Sequence, residues 1–190
     1  MMLKKGLHCA LVILLLFCIS PASSSAKTEA RLSDIIVTNT QHELLVYFTV
    51  KDCFTEEMSR AILNGIATKF TFIVKLYEVR NVWFDRKIAD IRLRHTIEYD
   101  TLKNEFNLSL PEQNNKEVRT KDFDEAKKLM ADVVALKVTR LDKLGRGLHY
   151  KLRMKAELDK IELPFYLNYV LFFLSLWDFE TDWYSVSFTY

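Results

Sequence analysis

Cysteine is nearly absent from the chain. Of its three cysteines, Cys9 and Cys18 fall within the first twenty residues and Cys53 stands alone in the rest. One cysteine beyond the leader forms no internal disulfide, so a domain of this size has to rest on an apolar core. An isolated thiol of this kind is expected to be buried rather than nucleophilic. Histidine is equally scarce: beyond His8 there are only His42, His95 and His149. They are widely separated and in no metal-ligand spacing, which argues against zinc or copper. His95 falls on the apolar side of its segment and is expected to be a hydrogen-bonded core residue. With four glycines and three prolines, the chain offers no Walker loop, dinucleotide fingerprint, calcium loop or serine-nucleophile elbow. No cofactor or metal is expected.

An excess of either charge is missing too, once the amino terminus is set aside. Lys4 and Lys5 precede a stretch from Leu7 to Ile19 without Asp, Glu, Lys or Arg, and Ser24 with Ala26 offers small residues before Lys27. That order is a secretory signal peptide. Its apolar centre is shorter than the roughly 20 residues a bilayer span needs. Phe17 before Cys18 disfavours lipoprotein processing. Residues 1–26 are therefore expected to be cleaved, leaving residues 27–190 as a single domain in the periplasm or another extracytoplasmic space. Cleavage removes two lysines and no acid, so Lys+Arg falls from 27 to 25 against 25 Asp+Glu and the net charge falls from +2 to zero. A nucleic-acid partner is not implied, because polyanion binding relies on a basic field.

Alternating hydrophobicity dominates what remains. Ile35 and Val37, then Leu44, Val46, Phe48 and Val50, read as a strand pair around a polar turn at Asn39 to His42. Thr55 is placed to cap a helix of about three turns with Met58, Ala61 and Ile62 inward and Gly65 at its end. Thr68 to Val79 reads as a strand covered on both sides. After a turn near Asn81, Ile91, Leu93, His95, Ile97 and Tyr99 share one face of the next strand, and Phe106, Leu108 and Leu110 form its hairpin partner. Glu112 to Lys116 reads as a loop. Asp122 starts a second helix, with Glu125 in capping-box spacing and Phe123, Ala126, Leu129, Met130 and Val133 as its apolar stripe. Val134, Leu136 and Val138 either continue that helix or begin a strand. Leu148 to Ile161 reads as a long alternating strand, with Tyr150, Leu152, Met154, Ala156 and Leu158 on one side and a charged face that is expected to be solvated on the other, and Tyr184 to Tyr190 alternates again. Seven or eight strands and two short helices predict a mainly β fold: an antiparallel β-sandwich-like or partly open barrel domain. An outer-membrane barrel fits poorly, because the helical stripes interrupt the strands.

Leu163 to Trp177 carries no charge and is followed by Asp178, Glu180 and Asp182. Three readings stay open for it: core filling, a face for a membrane or partner protein, or the wall of a hydrophobic-ligand pocket. Its lack of flanking Lys or Arg weakens the interfacial-helix version. Phe165, Tyr166, Tyr169, Phe172, Phe173, Trp177 and Trp183 are the candidate interaction surface. Two carboxylates across an aromatic cleft would suit acid/base hydrolysis. Asp85 beside Trp83, paired with one of Asp178, Glu180 or Asp182, is the weak enzyme candidate. The plainer reading of the last three is that they keep an apolar segment soluble.

Several short elements, in order, resemble a family of exported proteobacterial proteins known only as domain of unknown function 4390. They are Gly65, Ile66, Phe70 and Phe72; Trp83 with Asp85; Gly147 and Tyr150; Leu158, Asp159, Leu163 and Pro164; and Trp177, Phe179, Trp183 and Tyr184. The resemblance covers nearly all of residues 27–190. It implies a secreted, non-catalytic protein associated with membrane-bound sensor kinases, and it carries over no active-site residue. The residues and the resemblance together predict a non-catalytic envelope protein that binds another envelope protein, accessory to a membrane signalling system. Peripheral membrane or hydrophobic-ligand binding is the first alternative and the hydrolase the second.

Overall fold

The computed structural model describes residues 30–113, 116–159 and 179–190. Their alternating residues send successive side chains to opposite faces and build nine strands. The order is β1 (Arg31–Asn39), β2 (Glu43–Lys51), α1 (Glu56–Leu63), β3 (Thr68–Glu78), β4 (Arg86–Asp100), β5 (Glu105–Leu110), β6 (Lys116–Thr120), α2 (Phe123–Ala131), β7 (Asp132–Arg140), β8 (His149–Leu158) and β9 (Tyr184–Thr189). Two open sheets result, β1-β2-β7 and β6-β5-β4-β3-β8-β9, with antiparallel pairing throughout. The fold is mainly β and sandwich-like, with two short helices.

The apolar faces of the two sheets share one core. Val46, Phe48, Val133 and Val138 of the small sheet join Phe72, Val74, Leu76, Leu152 and Met154 of the large one. The Phe48 and Phe72 rings meet edge to face with centroids 5.7 Å apart, a geometry that adds to their area burial. Cys53 is buried in this core, where its Sγ–H donates to the Val50 carbonyl at 3.3 Å. Burial pushes the thiol up to about 12, so it stays protonated and unreactive.

Both helix starts follow their sequence signals, with differences. Thr55 Oγ1 accepts from the Met58 N–H at 3.2 Å, and Met58, Ala61 and Ile62 are buried. The helix has eight residues, about two turns rather than three. Asp122 accepts from the N–H groups of Asp124 and Glu125 at 2.8 and 3.2 Å. The reciprocal half of the capping box is not made: the Thr120 hydroxyl takes both Glu125 and the Asp122 N–H. Val133 does not extend the helical stripe, because β7 begins at Asp132. Phe48 pairs with Val133 and Val46 with Leu136, so two steps on β2 face three on β7. Ala135 takes up the extra residue at φ 54°, and this bulge lets Val133, Leu136 and Val138 all reach the core despite their uneven spacing.

Among the described residues, nine strands stand where seven or eight were expected. The additional one, β6, pairs with β5 along an outer edge of the large sheet. Glu112 is not simply part of a polar loop either: it lies in a 3₁₀ turn, Pro111–Gln113, and its side chain is inside the protein.

Candidate functional site

β8 carries Lys151, Arg153 and Lys155 on the outer face of the large sheet, opposite Tyr77, Lys75 and Ile73 of β3. Beyond β8, the chain from Phe179 to Thr189 runs along its other side. Leu158 N–H donates to the Phe179 carbonyl at 3.0 Å, Glu157 bridges Glu180, and Thr181 N–H donates to the Ala156 carbonyl at 2.9 Å. Tyr184 pairs with Met154. Asp182 and Trp183 therefore stand together opposite Lys155 alone, a two-against-one bulge that re-aims a side chain. The side chain re-aimed is Trp183.

Three cations surround its ring. Arg153 Cζ lies 4.7 Å from the ring centroid, Lys75 Nζ 5.3 Å and Lys155 Nζ 5.7 Å. Each sits at cation–π range, and Trp183 keeps 37% of its surface exposed. Lys155 is the buried member, at 9% exposure, which corrects the expectation that the charged face of β8 is wholly solvated. A buried ammonium requires partners, and Lys155 has Glu180 in direct contact and Glu157 at 3.6 Å. Among the described residues, Lys75, Arg92 and Arg153 have no carboxylate within ion-pairing distance, whereas neighbouring Arg94 pairs with Asp159 at 2.8 Å. The result is an aromatic ring beside three cations, of which Lys155 is matched by carboxylates while Lys75 and Arg153 have none within ion-pairing distance among the described residues.

Anchoring comes from the other side of the sheet. Phe179 turns inward and meets Phe70 edge to face at 4.9 Å. The Thr181 hydroxyl accepts from the Ala156 N–H at 3.0 Å while Thr181 itself is buried. These contacts fix the strand that presents Trp183.

Of the seven aromatic residues forming the candidate interaction surface, only Trp183 belongs to the described residues. Phe165, Tyr166, Tyr169, Phe172, Phe173 and Trp177 lie outside them, as does Asp178. The remaining carboxylates are not gathered into one cleft. Asp85 sits in the β3–β4 connection, accepting from the Arg80 N–H at 3.4 Å and facing Lys151 at 3.9 Å. Glu180 is held by Lys155, four residues along β8, a span of about 13 Å. Asp182 is exposed.

His95 and Glu112 form a buried pair that the sequence signalled only in half. Their side chains are 0% and 1% exposed, with Nε2 3.0 Å from Oε2. His95 Nδ1 lies 3.0 Å from the Met130 carbonyl, which only accepts, so Nδ1 carries a proton. His95 thus caps the last turn of α2, whose terminal carbonyls have no partner within the helix. The pair ties β4, α2 and the 3₁₀ turn together away from solvent.

Among the described residues no group of three His, Cys, Asp or Glu side chains is placed to hold a metal ion, and no helix is long and apolar enough to cross a membrane. An open groove of about 380 Å³ between the helices is lined by Phe54, Glu56, Arg60, Leu63 and Lys127 among others. It gathers no recognisable catalytic constellation.

Sequence reasoning did not single out Lys75, Arg153 and Lys155 as a unit. The available signal was the basic run of alternate residues on β8, but the partner strand and the bulge that bring Trp183 over it are set by pairing. Comparison with curated proteins and with solved structures gave no match. Residues 27–187 match one family over most of the chain, and the protein belongs to it: the family described as Domain of unknown function (DUF4390).

Proposed function

We propose that the protein is a non-catalytic envelope protein that works by binding another protein of the envelope, as an accessory to a membrane signalling system. The partner seats an acidic, partly apolar surface on the outer face of the large sheet around Trp183. The observation that carries this reading is the Trp183 ring set among Lys75, Arg153 and Lys155. Aromatic and arginine side chains are the groups that dominate protein interfaces, and Lys75 and Arg153, without an ion-pair partner among the described residues, favour a partner of opposite charge. A rigid sheet face held by Phe179 and Thr181 limits the ordering cost of binding. The leader-like pattern of residues 1–26 and what the family resemblance implies, a secreted protein associated with membrane-bound sensor kinases, support the envelope as the setting.

Tagged full-length protein expressed in its native cells, crosslinked and recovered from the envelope fraction, tests the reading. A discrete protein captured by the wild type and lost with Lys75→Glu/Arg153→Glu supports it. Equal capture by both forms, or recovery of uncleaved protein in the cytosol, contradicts it.

A further inference from the structure

The β3–β4 hairpin ends in three consecutive apolar residues that the fold does not use. Val82, Trp83 and Phe84 are 86%, 76% and 94% exposed, and none of them belongs to the core formed by the described residues or packs against it. The hairpin beneath them is firm. β3 and β4 pair from Thr68↔Ile97 to Glu78↔Arg86 with one register shift, between Leu76 and Tyr77, and β3 is extended at its tip by the Val79 N–H donating to the His149 carbonyl at 2.8 Å. Apolar side chains carried outward on a rigid support are unfavourable in water and mark a contact surface.

Behind the tip lies a collar of charge. Glu78 is held between two guanidiniums, with Arg80 Nε at 3.1 Å and Arg86 in direct contact. Asp85 faces Lys151, and Lys87 pairs with Asp90 at 2.8 Å. Four cations thus stand against three carboxylates, and Arg80, Arg86 and Lys87 are at least two-fifths exposed. The collar carries one net positive charge, and its long side chains have stems that can lie along an apolar medium while their heads stay at a polar boundary.

We propose that Val82, Trp83 and Phe84 insert into the headgroup boundary of a phospholipid bilayer carrying anionic lipid, with Arg80 and Arg86 at the level of the phosphates. Shape favours a bilayer over a protein. A convex tip of three adjacent side chains is surrounded on all sides only by a fluid phase or a deep pocket, and a flat protein surface would leave most of it in water. Chemistry agrees, since tryptophan concentrates at the membrane–water boundary and anionic lipid attracts nearby Arg and Lys. The contact is distinct from the Trp183 face and does not depend on it.

The full-length chain is mixed with sedimentable vesicles of phosphatidylethanolamine and phosphatidylglycerol, or of phosphatidylcholine alone. The proposal expects binding to the anionic vesicles and a loss of about tenfold or more in Trp83→Ser/Phe84→Ser, the scale set by withdrawing two aromatic side chains from burial. Phe84→Ser alone, at a site without packing, is expected to give a smaller loss with unchanged unfolding and guards against misfolding of the double variant. Arg80→Gln is expected to reduce the preference for anionic vesicles. The form Trp177→Phe/Trp183→Phe keeps Trp83 as the sole indole, whose emission should shift to the blue and be quenched by brominated acyl chains. Unchanged Trp83 emission on vesicles, or equal vesicle binding by wild type and the double variant, overturns the proposal. So does a discrete protein crosslink formed in cells from a crosslinking residue at position 84, with vesicle binding unaffected by the double variant, which would assign the tip to a protein pocket.

Discussion

Trp83 and Trp183 are both open to solvent, yet the fold treats them in opposite ways. Trp183 is placed by a bulge, flanked by three cations and set beside a strand pinned through Phe179 and Thr181. Trp83 sits at the end of a hairpin at 76% exposure and belongs to no part of the core. The difference separates two kinds of surface residue. One contributes to the stability of the sheet face that it decorates. The other is carried by the fold without helping to hold it, so its presence calls for a contact outside the molecule.

The comparison breaks most visibly if the anchor under Trp183 is removed. Phe70→Ala withdraws the ring against which Phe179 packs, and a fully buried phenylalanine of this kind costs about 3–5 kcal/mol on truncation. Denaturant unfolding should show that loss, and hydrogen exchange should show faster opening at the Leu158 and Thr181 amides. Trp183→Ala itself is expected to cost about 1–2 kcal/mol, from lost cover over β8 and lost cation–π contact; a thermal melt measures it.

Acid sharpens the contrast from the Trp83 side. Arg86 first, and then Arg80, hold the Glu78 carboxyl below its ordinary value of 4.5. A folded pKa below the unfolded one contributes stability that is present above 4.5 and lost as the pH falls from there through the folded value. Glu78→Gln should therefore flatten the decline of the denaturant midpoint in that acid window, with the Trp83 tip still exposed. Smallest of all is the effect of Trp83→Ala on folding, expected to stay within about 0.5 kcal/mol because no packing is lost. A cost equal to that of Trp183→Ala would erase the distinction.

Much of the sheet could be read from the residues because alternation has a single physical cause: one face goes to the core. β3, β4, β5 and β8 follow from it, and the helix start at Thr55 was legible for a separate reason, a hydroxyl placed to accept a first-turn N–H. β6 escaped because an outer strand with Val118 as its only large apolar residue is held by backbone pairing with β5, which hydrophobic pattern does not reveal. Val133 was drawn into the helical stripe because a chain passing directly from helix to strand keeps its apolar residues coming, and only the bulge at Ala135 sets their phase. Glu112 looked like solvent-facing loop because its partner, His95, lies seventeen residues earlier. The candidate site was half legible: Trp183 stood out for its composition, whereas its cations come from strands whose adjacency is a property of the sheet. Val82, Trp83 and Phe84 carried a usable signal, three apolar residues in a row between charged turns, which departs from the polar composition that turns ordinarily have.

Site-specific photocrosslinking most directly tests whether the Trp183 face is where a partner binds. A crosslinking residue at Tyr77, beside Lys75 on that face, is compared in native cells with one at Val134, exposed on the small sheet. The account predicts a single discrete protein adduct from position 77, abolished by Lys75→Glu/Arg153→Glu, and none from position 134. Adducts of equal yield from both positions, or none from position 77 in correctly exported protein, would contradict it.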